Sequence, residues 1–202
     1  PVKVEQSIEE INRLATAGCE LVRLAVPDMA AAKAIKDIKE RAMIPLIADI
    51  HFDYRLALQA IDSGIDGLRI NPGNIGSIDN VVKVVEKAKP KLIPIRIGVN
   101  AGSLPQHVLD AHGGHPTADG MVDTALEHIR ILESLEYDQM KVSIKATDVP
   151  LMIEAYRKLS SKIPYPLHLG VTEAGTIKQG TIKSSIGIGT LLADGIGDTI
   201  RV

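Results

Sequence analysis

The chain has 202 residues, with 23 Lys plus Arg against 25 Asp plus Glu, one cysteine, one phenylalanine and no tryptophan. The near balance of charge argues against a general nucleic-acid or membrane-surface binder, and the scarcity of aromatics argues against stacking platforms for single strands. A lone Cys19 excludes an internal disulfide framework and a cysteine-only metal site, its usage fits a reducing compartment, and no apolar run approaches the roughly 20 residues of a membrane span.

Short β-rich runs alternate with helical patterns throughout. The opening Pro1-Val2-Lys3-Val4 reads as a strand over 2–4 and not as a signal peptide. A helix follows over 5–17, where Ile8, Ile11 and Leu14 recur at helical spacing. Strands at 21–26, 45–50, 67–71 and 93–99 are separated by helices near 29–42, 53–63 and 77–89. A helix over 118–136 carries Met121, Ala125, Ile129 and Leu132 on one face, and strand 140–146, helix 148–162, strand 166–171, helix 181–194 and strand 198–202 complete the chain. Gly18, Gly64 and Gly195 stand where left-handed helix caps are expected.

Alternating strands and helices specify parallel βαβ units, and eight strands favour closure into a TIM-type (β/α)₈ barrel as one domain over 1–202. A complete barrel usually needs about 250 residues. Val4 runs directly into Glu5, although a strand-to-helix connection usually takes about 2–6 residues. No eighth helix follows Val202. The expectation is a barrel lacking its first βα loop and its last helix, cut from a longer protein.

Side chains on a strand alternate between two faces. Arg23 and Ala25 oppose Val22, Leu24 and Val26; Asp49, with His51 beyond, opposes Ala48 and Ile50; Arg69 and Asn71 oppose Leu68 and Ile70. Arg96, Gly98 and Asn100 oppose Ile95, Ile97 and Val99; Ser143 and Lys145 oppose Val142 and Ile144. His168, Gly170 and Thr172 oppose Leu167, Leu169 and Val171, and Thr199 and Arg201 oppose Ile200 and Val202. The apolar set must meet the helices, so the polar set points into the lumen, which in most barrels is filled by Val, Ile and Leu. Arg23, Arg69, Arg96, Lys145 and Arg201 then converge there against Asp49 and Glu173. Two carboxylates do not neutralise five cations, and a phosphate or diphosphate ligand matches Arg and Lys chemistry. A structural ion-pair network is the alternative.

The connections add weaker signals. Asn71-Pro72-Gly73-Asn74 and Asn100-Ala101-Gly102-Ser103 read as tight turns whose amides and backbone N–H groups could also meet a ligand. The long stretch from Asn100 to Ala118 suits a lid, and its His112-Gly113-Gly114-His115 run lacks the accompanying ligands of a metal site. Glu173 is either a proton donor at the rim, a partner for one cation, or an exposed loop residue. Lys183-Ser184-Ser185-Ile186-Gly187 reads as a helix start, open to a phosphate or to simple serine capping. Cys19 reads as a buried structural thiol.

The segments 22–27, 48–53, 68–76, 95–103, 143–148, 168–175 and 183–202 together resemble the hydroxymethylbutenyl diphosphate synthase family, in order and over nearly the whole chain. Those segments include Ala48-Asp49-Ile50-His51-Phe52-Asp53, Leu68-Arg69-Ile70-Asn71-Pro72-Gly73-Asn74 and His168-Leu169-Gly170-Val171-Thr172-Glu173-Ala174-Gly175. The resemblance implies reductive opening of 2-C-methyl-D-erythritol 2,4-cyclodiphosphate with loss of water, giving 4-hydroxy-3-methylbut-2-enyl diphosphate in non-mevalonate isoprenoid biosynthesis. It implies that Arg23, Arg69, Arg96, Lys145 and Arg201 hold the cyclic diphosphate, with Asn71, Asn100 and His168 beside them, and that Glu173 is the catalytic acid. It further implies a [4Fe–4S] cluster on a separate C-terminal domain, ferredoxin or flavodoxin as electron donor, a head-to-tail homodimer, and a bacterial cytoplasmic or plastid stromal location. Cys19 matches no cluster ligand, and the family's Gln-Ser-Met-Thr-type first loop is missing between Val4 and Glu5. A pterin-binding barrel of the dihydropteroate synthase type and a non-catalytic phosphate-ligand barrel are the competing readings.

Overall fold

The computed structural model describes residues 3–71 and 75–202, and the chain divides into two compact units. The first runs to Arg96 and adds Leu135–Gln139; the second comprises Ile97–Ser134 and Met140–Val202.

In the first unit the order is α1 (Val4–Thr16), β1 (Val22–Ala25), α2 (Met29–Arg41), β2 (Leu46–Asp49), α3 (Tyr54–Asp62), β3 (Gly67–Ile70) and α4 (Ile78–Ala88), leading into β4 (Ile95–Asn100). The strand expected over 2–4 is not found where it can be judged. Val4 already belongs to α1, and Ser7 N donates to Lys3 O at 3.0 Å to close the first helical turn; residues 1–2 lie outside the described residues, as do 72–74 of the Asn71 turn. The helical spacing of Ile8 and Ile11 thus extends back through Val4. Strands β1, β2 and β3 pair in parallel, with Leu24 beside Ala48 and Ala48 beside Leu68. Leu68 N donates to Pro94 O at 2.9 Å and brings in β4. Leu46, Ala48, Leu68, Ile70 and Ile95 are buried, as are Ala57, Ala60 and Ile61 of α3 and Val81, Val84 and Val85 of α4. These are the apolar strand face and the apolar helix stripe that the two periodicities require. Asp28 and Asp53 cap α2 and α3 through Ala31 N and Arg55 N, which fixes where each strand-to-helix connection ends.

In the second unit the rest of β4 is followed by α5 (Gln106–Ala111), α6 (Ala118–Ser134), β5 (Met140–Lys145), α7 (Val149–Ser160), β6 (His168–Leu169), α8 (Ile177–Ala193) and β7 (Thr199–Ile200). Ser143 Oγ donates to Ile97 O at 3.2 Å, and β6 pairs with β7 in parallel. Two expected strands are shorter than read: 166–171 contracts to two residues and 198–202 to two. Ile200 and Val202, expected on an apolar face, are exposed. Helix α8 begins at Ile177, capped by Thr176, so Lys183–Gly187 lies inside the helix and offers no N-terminus to a phosphate. Gly187 serves packing there: a Cβ would stand 2.7 Å from Met152 Cε of α7. Gly18, Gly64 and Gly195 have φ of 95, 85 and 76°, the left-handed caps expected. Among the described residues, no helix is long and apolar enough to cross a membrane.

Candidate functional site

In the first unit the polar strand residues gather around Asp49, the last residue of β2. Arg69 is its direct neighbour on β3, and Arg23 lies on β1, two residues before the Ala25 that pairs with Asp49. Arg23 Nη1 reaches Asp49 Oδ2 at 2.7 Å, Arg69 Nη1 reaches Oδ1 at 3.0 Å, and His51 Nε2 stands 3.6 Å from Oδ1. Asp49 is 4 % exposed, so each oxygen of a buried carboxylate serves one guanidinium. The arrangement ties Arg23 to the carboxylate through Nη1 and holds Arg69 by one branch of its planar fork. Arg69 Nε is buried and finds no acceptor among the described residues. A buried N–H on a charged group without an acceptor is costly, and an anion or water would satisfy it. Asn71 and Arg96 are buried in the same unit, at the end of β3 and near the start of β4.

In the second unit Lys145 closes β5 and is 7 % exposed. Its ammonium lies over Gly170: a Cβ built there would stand 2.6 Å from Lys145 Nζ. His168 is buried on β6, and its Nδ1 meets Thr199 Oγ1 at 2.8 Å on the paired strand β7. Asn100 is half-buried at the end of β4, whereas Glu173 and Arg201 are exposed. Glu173 follows the strand in a left-handed conformation, φ 50°. Depth along the expected polar face is uneven: Lys145 and His168 are buried, and Arg201 is not.

Two residues outside the expected site set matter here: Thr199, placed on the polar face of the last strand but given no role, and Tyr156. Thr199 sets the ring of His168. Tyr156 of α7 is fully buried, and its hydroxyl accepts from Ile144 N at 3.1 Å and donates to His168 O at 2.6 Å. A tyrosine on the apolar face of a helix, beside Met152, Ala155 and Leu159, was the available signal, because a buried phenol needs a partner.

The long connection after β4 folds into α5, a short helix not anticipated. His112 Nε2 meets Asp123 Oδ2 of α6 at 3.1 Å, and His115 Nδ1 lies 3.1 Å from Gly113 O. The His-Gly-Gly-His run is thus engaged in holding its own loop. Cys19 is half-buried, and its thiol donates to Leu21 O at 3.1 Å, a structural role at less depth than expected.

Solved structures give the class. The chain superposes on dihydropteroate synthase of Yersinia pestis with a TM-score of 0.70 at 13 % identity, covering 98 % of this chain and 82 % of that one. It superposes on deoxyribose phosphate aldolase of Aeropyrum pernix with a TM-score of 0.61 at 14 % identity, covering 100 % and 80 %. At such identities the likeness is one of fold, and that fold is the α/β barrel of TIM type. The sequence then specifies the family: the chain belongs to the GcpE family, whose TIM-barrel domain matches residues 2–202. It is 62 % identical to 4-hydroxy-3-methylbut-2-en-1-yl diphosphate synthase (flavodoxin) of Geobacter sulfurreducens, over 97 % of this chain and 55 % of that protein. The protein of the same name from Fusobacterium nucleatum is 59 % identical over 98 % of this chain and 56 % of its own length. The chain spans about half the length of these curated relatives.

Proposed function

We propose that this chain is the substrate-binding barrel of a 4-hydroxy-3-methylbut-2-en-1-yl diphosphate synthase and holds 2-C-methyl-D-erythritol 2,4-cyclodiphosphate by its cationic strand ends. Arg23, Arg69, Arg96, Lys145 and Arg201 supply charge, Asn71, Asn100 and His168 supply hydrogen bonds, and Glu173 delivers the proton that turns the leaving hydroxyl into water. The observation that carries this reading is the buried Arg69, tethered to Asp49 by one nitrogen while its Nε lacks an acceptor among the described residues. A diphosphate oxygen is an acceptor that matches such a fork. The likeness to dihydropteroate synthase, at 13 % identity, supports the fold alone and does not favour a pterin.

The reaction is reductive, and in this reading the electrons come from flavodoxin or ferredoxin through a [4Fe–4S] cluster. These 202 residues do not fit such a cluster, which needs several thiolates: the single Cys19 gives its thiol to Leu21 O. In this reading the cluster is held by sequence outside these residues, on a C-terminal domain that a homodimer brings to the barrel, in the cytoplasm or stroma. Every step assigned here belongs to the barrel's own side chains: binding, orientation and one proton transfer.

Isothermal titration of the full-length enzyme with the cyclic diphosphate tests the reading. Arg69→Ala should weaken binding by about 1.5–3 kcal/mol, the range for a hydrogen bond to a charged group. Unchanged affinity would remove Arg69 from the binding site.

A further inference from the structure

Strands β5 and β6 run side by side, yet one rung between them is not made by the backbone. Val142 pairs with Leu167, and Val142 N donates to Pro166 O at 2.9 Å. Two residues further along each strand, the parallel pattern places Ile144 N–H opposite His168 C=O. The Tyr156 hydroxyl stands in that place, accepting from Ile144 N at 3.1 Å and donating to His168 O at 2.6 Å. Beyond it the same register resumes, where Thr172 N donates to Ala146 O at 3.3 Å. The phenol is thus a spacer inserted at one rung between the Val142 to Leu167 bridge and the Thr172 to Ala146 bond. It leaves Val142 and Leu167 as an isolated bridge between the two strands.

The residues beside this rung are Lys145, next to Ile144, and His168 itself. Across from Lys145, Gly170 carries no side chain, and a Cβ there would stand 2.6 Å from Lys145 Nζ and 2.8 Å from Arg201 O. The ammonium occupies the room that a side chain on β6 would fill.

We propose that Tyr156 is a positioning residue for substrate binding: its hydroxyl holds β5 and β6 apart, and the opening seats the Lys145 ammonium over Gly170 in fixed relation to the His168 ring. This rests on the reading that Lys145 and His168 hold the diphosphate. Tyr156 is fully buried and acts through the strands and not on the ligand itself. With a phenylalanine at 156, the direct Ile144 to His168 bond would re-form or both groups would be left unsatisfied, and either outcome moves the strand carrying Lys145.

The test is steady-state kinetics of the full-length holoenzyme with the cyclic diphosphate and an artificial one-electron donor, in Lys145→Met, Tyr156→Phe and the double variant. Lys145→Met should raise KM by roughly ten- to a hundredfold, the equivalent of one charge-assisted hydrogen bond. Tyr156→Phe should raise KM by about tenfold with kcat changed less than about threefold, and the double variant should be no worse than Lys145→Met, because the two act on one contact. A Lys145→Met enzyme with unchanged KM overturns the binding reading and the inference with it. A raised KM in Lys145→Met beside an unchanged KM in Tyr156→Phe, or losses that multiply in the double variant, overturns the inference alone. If Tyr156→Phe does not yield folded enzyme, Gly170→Ala crowds the same ammonium from the β6 side. It should raise KM without adding to Lys145→Met, and an unchanged KM in Gly170→Ala overturns the proposal.

Discussion

Asp66 and Leu46 hold each other at both ends: Asp66 N donates to Leu46 O at 3.1 Å, and Leu46 N donates to Asp66 Oδ2 at 2.7 Å. The same closed pair recurs in the second unit, where Asp198 N donates to Leu167 O at 2.9 Å and Leu167 N donates to Asp198 Oδ2 at 2.7 Å. In each case a glycine with positive φ, Gly64 or Gly195, ends a helix and turns the chain toward the aspartate. The carboxylate then satisfies the first strand N–H, which has no ladder partner of its own. Asp66→Ala and Asp198→Ala should each lower stability by about 1–3 kcal/mol, the cost of an unsatisfied buried donor. Chemical denaturation reads this directly, and an unchanged midpoint in both would show that water replaces the carboxylate at no cost.

Asp49 gives a second stability prediction with a ligand signature. Its buried carboxylate meets Arg23 and Arg69, so Asp49→Asn leaves two guanidiniums with a weaker, neutral acceptor. The melting temperature should fall without ligand. Saturating cyclic diphosphate should recover most of the fall, because bound anion stabilises the folded state by mass action and supplies the lost negative charge. Thermal melts with and without ligand decide it: a fall that ligand does not recover makes the cluster a purely structural ion network.

His128 of α6 is buried, and its Nδ1 has no partner among the described residues. Burial holds its pKa below the ordinary histidine value, with a weaker opposing pull from Glu127. The unfolded chain therefore binds this proton more readily than the folded chain. Stability is full above the ordinary pKa, about 6.5, and declines as pH falls from there toward the folded value, with a slope of at most about 1.4 kcal/mol per pH unit for one proton. His128→Leu should flatten the acid limb between about pH 6.5 and 5. Urea midpoints at these pH values check it; an unaltered slope would place the acid sensitivity elsewhere.

The parts of the fold that were legible in the sequence are those set by long periodic stretches. Among the described residues, seven helices and seven strands overlap their expected places because an apolar stripe or an alternating run must be buried somewhere. Short or interrupted elements were not legible. Gly180 hid the first turn of α8, whereas Gly187, inside the expected helix, is there for contact with Met152. Helix α5 spans only six residues between Pro105 and the His-Gly-Gly-His run. At the candidate site, parity put Arg69 and Asp49 on one face, and the strand register makes them direct neighbours. Parity could not reveal that β6 is pinned by a phenol arriving from α7, since that contact is tertiary and joins residues 12 apart.

Glu173 is the residue whose role is most exposed to test. It follows Thr172, whose N–H makes the last bond between the β5 and β6 segments. Its backbone adopts φ 50°, a conformation that side chains other than glycine's take up at a cost, and that recurs at functional sites. The side chain is exposed, so it is free to swing toward a ligand held at the strand ends. Loss of the substrate's hydroxyl requires a proton, because hydroxide is a poor leaving group, and a positioned acid contributes typically about 10²–10⁴-fold to such a step. Glu173→Gln keeps the length, the hydrogen bonding and the backbone preference but cannot deliver the proton. In the full-length enzyme it should therefore lose kcat by roughly that factor while substrate affinity stays within about threefold and iron content is unchanged. If Glu173 instead balances a neighbouring cation, Gln should shift affinity and leave kcat nearly intact. A binding titration run beside steady-state kinetics with an artificial electron donor separates the two, and a variant with both parameters unchanged would leave Glu173 as a loop residue only.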